Sequence, residues 1–174
     1  MSLRIFLLSA IIISSLNAKS FAQTKTDGQF KNWSAQNSNI NNQLVCFAVS
    51  RPVSSDPKKI NRAESRIFVS FRSTDNLQNE VSITSGYTYK PGSKVILTID
   101  KNQFQFEVDD NYAWLTKYDQ EASLVEIMQK SSQLNVMATS SKGTKTIDTF
   151  SLNGFADAYK AAKKKCNFNQ NEKS

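Results

Sequence analysis

Short runs in which apolar and polar residues strictly alternate, each closed by turn residues, constrain this chain more than any other feature. From Arg66 to Arg72, Ile67, Val69 and Phe71 share one face, while Phe68, Ser70 and Arg72 share the other. Glu80 to Thr84 alternates again and stops at Gly86. Lys94 to Asp100 sets Val95, Leu97 and Ile99 inward. After a tight turn at Asp100-Lys101-Asn102, the run Gln103 to Val108 opposes Phe104, Phe106 and Val108 to Gln103, Gln105 and Glu107. A period of two cannot present one face from a helix, and one polar face per strand points to antiparallel pairing.

The rest of the chain fits that frame. Leu44 to Val49 reads as a mostly apolar strand ended by Arg51-Pro52, and Val53 to Glu64 as a polar loop. Asp119 to Lys130 changes to helical spacing through Leu124, Ile127 and Met128, with Asp119 as its cap. Leu134 to Thr139 and Thr144 to Phe150 flank the turn Ser140-Ser141-Lys142-Gly143. A last helix capped by Ser151 carries Phe155, Tyr159, Ala162 and Cys166 along one stripe. Seven or eight strands, one short helix and a C-terminal helix predict an all-β dominated domain, a two-sheet antiparallel β-sandwich, with a barrel as the alternative. The predicted domain runs from residue 33 to 166, after a flexible polar lead-in at 23–32 and before a polar tail at 167–174. Trp33 marks its first packed strand, and Trp114 is expected in the core.

The first 22 residues read as a cleavable export signal. Arg4 precedes an apolar run from Ile5 to Leu16, and Ser20-Phe21-Ala22 puts small residues where a signal peptidase needs them. The apolar run is shorter than the ~20 residues that span a bilayer, so no stable transmembrane span is expected after cleavage. Cleavage removes Arg4 and Lys19 and no acid, which leaves a net charge of +5. In an exported chain, Cys46 and Cys166 read as a disulfide closing a loop of about 120 residues, worth up to roughly 4.7 kcal/mol. A reactive thiol is the alternative. Cys46 lies in an apolar run that would raise its pKa, and no CxxC partner exists.

Composition excludes much chemistry. The chain has no histidine, which removes Ser/His/Asp and Cys/His nucleophile pairs and every His-containing metal site. Two cysteines cannot hold an all-thiolate zinc site or an iron–sulfur cluster. No cofactor or metal is expected, and a modest basic excess on an exported domain suits envelope partners rather than nucleic acid.

The run Ser140-Ser141-Lys142-Gly143-Thr144-Lys145-Thr146-Ile147-Asp148-Thr149-Phe150-Ser151-Leu152-Asn153-Gly154-Phe155-Ala156-Asp157-Ala158-Tyr159 resembles the signature of the invasion-associated locus B family of exported bacterial proteins. Its carriers here are Gly143, Thr144, Asp148, Ser151, Leu152, Gly154 and Phe155. Cys46-Phe47 with Pro52, Arg62, Asn79-Glu80-Val81, Gly86-Tyr87 and Ala113-Trp114 follow in the family's order, so the resemblance spans Trp33 to Cys166. It implies an immunoglobulin-like β-sandwich, a periplasmic or envelope location and no established catalytic activity.

Three groups of residues are candidates for binding or chemistry. Lys58, Lys59, Arg62, Lys160, Lys163, Lys164 and Lys165 would form an anion- or partner-binding face if the fold brings them together. Tyr87 and Tyr89 are a candidate aromatic rim. Glu107, Asp109 and Asp110 are the densest acids and the paired carboxylates a hydrolase could use, a serine being the other option, though Asp109-Asp110-Asn111 also reads as a plain turn. Asp148 is expected to pair with a basic neighbour or cap a turn. The leading expectation is a non-enzymatic domain that binds an envelope protein or an anionic envelope polymer, with a structural or stress-related factor as the alternative.

Overall fold

A computed structural model describes residues 23–168, so residues 1–22, read from the sequence as an export signal, and most of the polar tail lie outside the described residues. Eleven strands pair antiparallel in one continuous sheet. They are β1 (Lys25–Phe30), β2 (Trp33–Ile40), β3 (Gln43–Ser50), β4 (Ser54–Asp56), β5 (Arg66–Arg72), β6 (Leu77–Thr84), β7 (Lys94–Ile99), β8 (Asn102–Asp109), β9 (Tyr112–Trp114), β10 (Gln133–Thr139) and β11 (Lys145–Ser151). The helices are α1 (Tyr118–Lys130) and α2 (Phe155–Lys165). The strand order is β1-β2-β3-β5-β6-β9-β8-β7-β10-β11-β4.

The sheet folds over at β9 into a β-sandwich. Val69, Val81 and Ile83 of the first layer and Leu97, Phe106, Val136 and Phe150 of the second all belong to one buried cluster. The expected sandwich is therefore present, but its two layers are not separate sheets. β9 joins them by pairing Ser82 and Ile83 on one side and Glu107 to Asp109 on the other.

Two-residue turns set the register. Asn41-Asn42, Lys31-Asn32, Asp100-Lys101 and Asp110-Asn111 each link directly paired strand ends, and Asn41, Asn42, Asp100 and Asp110 take the positive φ that asparagine and aspartate tolerate best. The acidic group at 107–110 is thus a hairpin, as the turn reading held.

Three strands escaped the sequence pattern. Residues 25–30, expected to be a flexible lead-in, form edge strand β1 paired with β2 from Lys25 to Phe30. Its polarity is that of an edge strand whose side chains are largely exposed, not of an unfolded segment. The polar loop after Pro52 contains β4, three residues paired to β11, and β9 is equally short.

Both helices turn their apolar faces inward. Leu124, Val125 and Met128 of α1 enter the main cluster, as do Phe155 and Ala158 of α2. Farther along α2, Ala162 and Cys166 pack against Ala35, Cys46 and Phe71 of the first layer. The Phe155, Tyr159, Ala162, Cys166 stripe is therefore the buried one, and Cys46 and Cys166 form the expected disulfide. The caps differ from expectation. Lys117 precedes α1 with Asp119 in its first turn, and Gly154 rather than Ser151 precedes α2. Gly154 has φ +92°, and a Cβ there would lie 2.0 Å from the Phe30 carbonyl oxygen, so only glycine lets the helix start against the end of β1.

The bridge ties α2 to β3 across a sequence separation of 120. Cys166→Ser should lower unfolding stability by about 2–5 kcal/mol, measured by denaturant unfolding of the oxidised protein. An unchanged midpoint would show that helix packing alone holds α2.

Candidate functional site

Asp148 lies on the inward face of β11 and is fully buried. Burying a carboxylate is costly unless charge and hydrogen bonds compensate it, and here both do. Arg62, from the loop before β5, donates through Nη1 to Asp148 Oδ2 at 2.8 Å and through Nη2 to Oδ1, a bidentate pair. Ser55 Oγ donates to Oδ1 at 2.6 Å and Ser65 Oγ to Oδ2 at 2.8 Å. Arg62 Nη1 also donates to the Ser85 carbonyl at 2.9 Å. Asp148 thus binds β4 and β11 of the second layer to the start of β5 and the end of β6 in the first. The carboxylate holds the guanidinium pKa above its ordinary value.

The network continues inward through aromatic hydroxyls. Tyr87 shares a 2.6 Å hydrogen bond with Thr146 Oγ1, and its ring centroid lies 5.9 Å from the Arg62 guanidinium. Tyr89 donates to Ser85 Oγ at 3.1 Å and is 2% exposed. Burial raises the pKa of both phenols. The two candidate rim tyrosines part company. The two rings touch edge-on, 5.6 Å apart, but Tyr89 is core and only Tyr87 reaches a surface groove.

The other signature residues flank Asp148 at the two ends of β11. Gly143 and Thr144 shape the β10–β11 hairpin, where Gly143 donates to the Ser140 carbonyl. The Ser151 carbonyl accepts the Trp33 indole N–H at 2.8 Å, Leu152 is buried, and the Phe155 ring lies 4.7 Å from that of Trp33. Together with Gly154 against β1, these contacts lock the second layer and α2 to the first.

The candidate basic face loses Arg62, which turns inward to Asp148 with only 9% of its side chain exposed. Lys58 and Lys59 are exposed on the loop after β4, while Lys160, Lys164 and Lys165 are exposed on α2 and Lys163 is half-buried. Lys165 pairs with Asp27 of β1 at 3.3 Å. Glu107, Asp109 and Asp110 point into solvent. Glu107 pairs with Lys94, and Asp110 accepts a hydrogen bond from Thr88 at 3.1 Å.

The outer face of the first layer carries a feature the sequence reading missed. Val49, Phe68, Ser82 and Trp114 stand side by side across β3, β5, β6 and β9. Phe47 meets Phe68 edge-on at 5.7 Å, and Tyr112 stacks on Trp114 at 5.6 Å. Trp114 is therefore half-buried on the outside, not in the core. The alternation had already put Phe68 opposite Ile67 and Val69. What no single segment reveals is that Phe68 and Trp114 fall in one row across the strands, with Phe47 diagonal to Phe68.

Residues 33–163 match the family model described as Invasion associated locus B (IalB) protein. The chain belongs to this family. The family span starts at Trp33 and takes in both layers, the Asp148 network and the outer aromatic face, while β1 and Cys166 lie outside it. Family membership together with the disulfide is consistent with an exported protein. No curated protein and no solved structure matches the chain. Among the described residues, no helix is long and apolar enough to cross a membrane, and no cluster of three or more acids or cysteines could hold a metal ion.

One buried acid lies apart from the Asp148 network. β9 pairs only with Ser82 and Ile83, so the N–H of Val81 faces α1, where Glu121 Oε1 accepts it at 3.2 Å. Glu121 is 8% exposed, and burial, with Glu80 nearby, pushes its carboxyl up to about 7. The folded protein then keeps a proton that the unfolded chain loses near pH 4.5, and stability should fall as pH rises from there to about 7. Glu121→Gln keeps an acceptor for Val81. It should remove most of this fall, gaining up to roughly 3 kcal/mol at pH 8 and little at pH 4, as read from thermal unfolding at both. Parallel pH profiles for the two proteins would contradict this.

Proposed function

We propose that this protein is a non-catalytic binding domain of the bacterial periplasm or cell envelope, and that it meets its partner through the outer face of the first layer. The observation that carries the reading is the row Val49, Phe68, Ser82 and Trp114 with Phe47 and Tyr112 beside it, since α1 and α2 bury their apolar faces on the other side of the sheet. Val49 and Ser82 are buried, but Phe47, Phe68 and Trp114 are partly exposed and Tyr112 is exposed. Aromatic side chains gathered on a sheet face mark contact surfaces, because they offer large rigid areas at little entropic cost. The second layer's outer face has Ile96, Met137 and Ile147 in register but no aromatic ring among them.

The remaining chemistry supports binding over turnover. Asp148 is fully used in joining the layers, and Glu107, Asp109 and Asp110 stand in solvent on a hairpin rather than in a cleft. Every buried side-chain nitrogen and oxygen among the described residues has a partner, as a structural polar core requires. Export is supported by the N-terminal pattern, the disulfide and the family.

The mature chain should bind an isolated envelope fraction, and that binding should persist at high salt because the surface is aromatic rather than charged. Phe47→Ser or Trp114→Ala should weaken it by at least about tenfold, while replacing Lys160, Lys163, Lys164 and Lys165 with Gln should leave it nearly unchanged. Loss with the lysine variant, or by salt alone, would place the contact on the basic helix end instead.

A further inference from the structure

We infer that the groove at the Tyr112 end of this face binds a glycan, a neutral or N-acetylated oligosaccharide segment. The inference rests on the reading of the outer face as the contact surface and names the chemistry it takes.

The groove has a volume of about 440 Å³, within the ~300–1,000 Å³ typical of ligand sites. Phe68, Tyr87 and Tyr112 supply aromatic rings along it, and Glu64, Arg66 and Asn111 supply planar polar groups. Rings of this kind stack on the C–H face of a pyranose, and carboxylate, guanidinium and amide groups can each engage two neighbouring hydroxyl or acetamido groups. The position of each part is fixed. Tyr112 is stacked on Trp114, Tyr87 is held by Thr146, and Asn111 sits in a two-residue turn. At the groove's edge, Ala63 donates to the Gly86 carbonyl at 2.9 Å, and a Cβ on Gly86 would lie 1.9 Å from the Ala63 carbonyl oxygen. That close approach holds the loop carrying Glu64 against the sheet.

Charge decides against a polyanion. Glu64 and Arg66, the acid and the base that line the groove, pair with each other at 2.8 Å and cancel, and Arg51, which also pairs with Glu64, lies outside the lining. Topology decides against an extended peptide. A peptide that adds to a sheet needs an unpaired strand edge, whereas Phe68 and Thr84 belong to β5 and β6, which the sheet order places in its interior. The groove therefore offers side chains and rings, not backbone pairing, and these are the groups that recognise sugars.

The test is titration of the mature, oxidised protein with chitotriose and with maltotriose, followed by Trp114 fluorescence and by calorimetry. At least one sugar should bind saturably at millimolar concentration or below, with little dependence on salt. Tyr112→Ala and Asn111→Ala should each weaken that binding by about tenfold or more, while Phe47→Ser, outside the groove, should leave it intact. Failure of both sugars to saturate overturns the inference, as does binding that Tyr112→Ala leaves unchanged. If neither sugar binds while Phe47→Ser still reduces envelope binding, the glycan assignment fails and the contact face stands. If the envelope binding also ignores Phe47 and Trp114, both fail.

Discussion

A buried carboxylate closes this sandwich. On one side the layers are joined by backbone hydrogen bonds through β9, but on the other side β4 and β11 have no strand of the first layer to pair with. Asp148 takes the place of that missing ladder, accepting from Arg62, Ser55 and Ser65, with Arg62 reaching on to the Ser85 carbonyl. The Trp33 indole bond to the Ser151 carbonyl adds a second tie on the same side. Removing one member of such a buried pair leaves an uncompensated charge, which is why the loop carrying Arg62 is held in one place. Glu64, two residues along that loop, and Tyr87, packed on Arg62, are positioned as a consequence. The closure of the core and the shape of the outer groove thus share one cause.

Much of this was legible in the sequence because strand alternation is local. β5, β7, β8, β10 and β11 fall within a residue or two of their predicted spans, and the apolar stripe of α2 led directly to Cys166. Asp148 was legible as a strand acid that would pair with a basic neighbour or cap a turn. Its partner was not, because Arg62 lies 86 residues away and its segment reads simply as polar loop. The same distance in sequence hid the outer aromatic row. Phe47, Phe68 and Trp114 each look like an ordinary strand residue, and only the register of four strands shows them as neighbours. β1, β4 and β9 escaped for a different reason: edge and linking strands bury little, so their composition is that of loops.

The division of labour between the two faces follows. The inner face of the first layer is fully employed by the second layer, α1 and α2, and the disulfide fixes α2 there. The family signature maps onto this inner architecture rather than onto a surface cleft. What the fold leaves outside is an aromatic sheet face whose rings are backed by a rigid core. The candidate lysines lie on a loop and on a helix end, and the one arginine named with them is spent on Asp148.

The most direct test of this account is a double-mutant cycle on Arg62 and Asp148, with stabilities measured by denaturant unfolding of the oxidised protein. Asp148→Leu and Arg62→Met should each cost about 3–5 kcal/mol, and the double variant should cost much less than their sum because neither charge is then left unpaired. Additive losses, or single losses below about 1 kcal/mol, would contradict the claim that this pair holds the layers together.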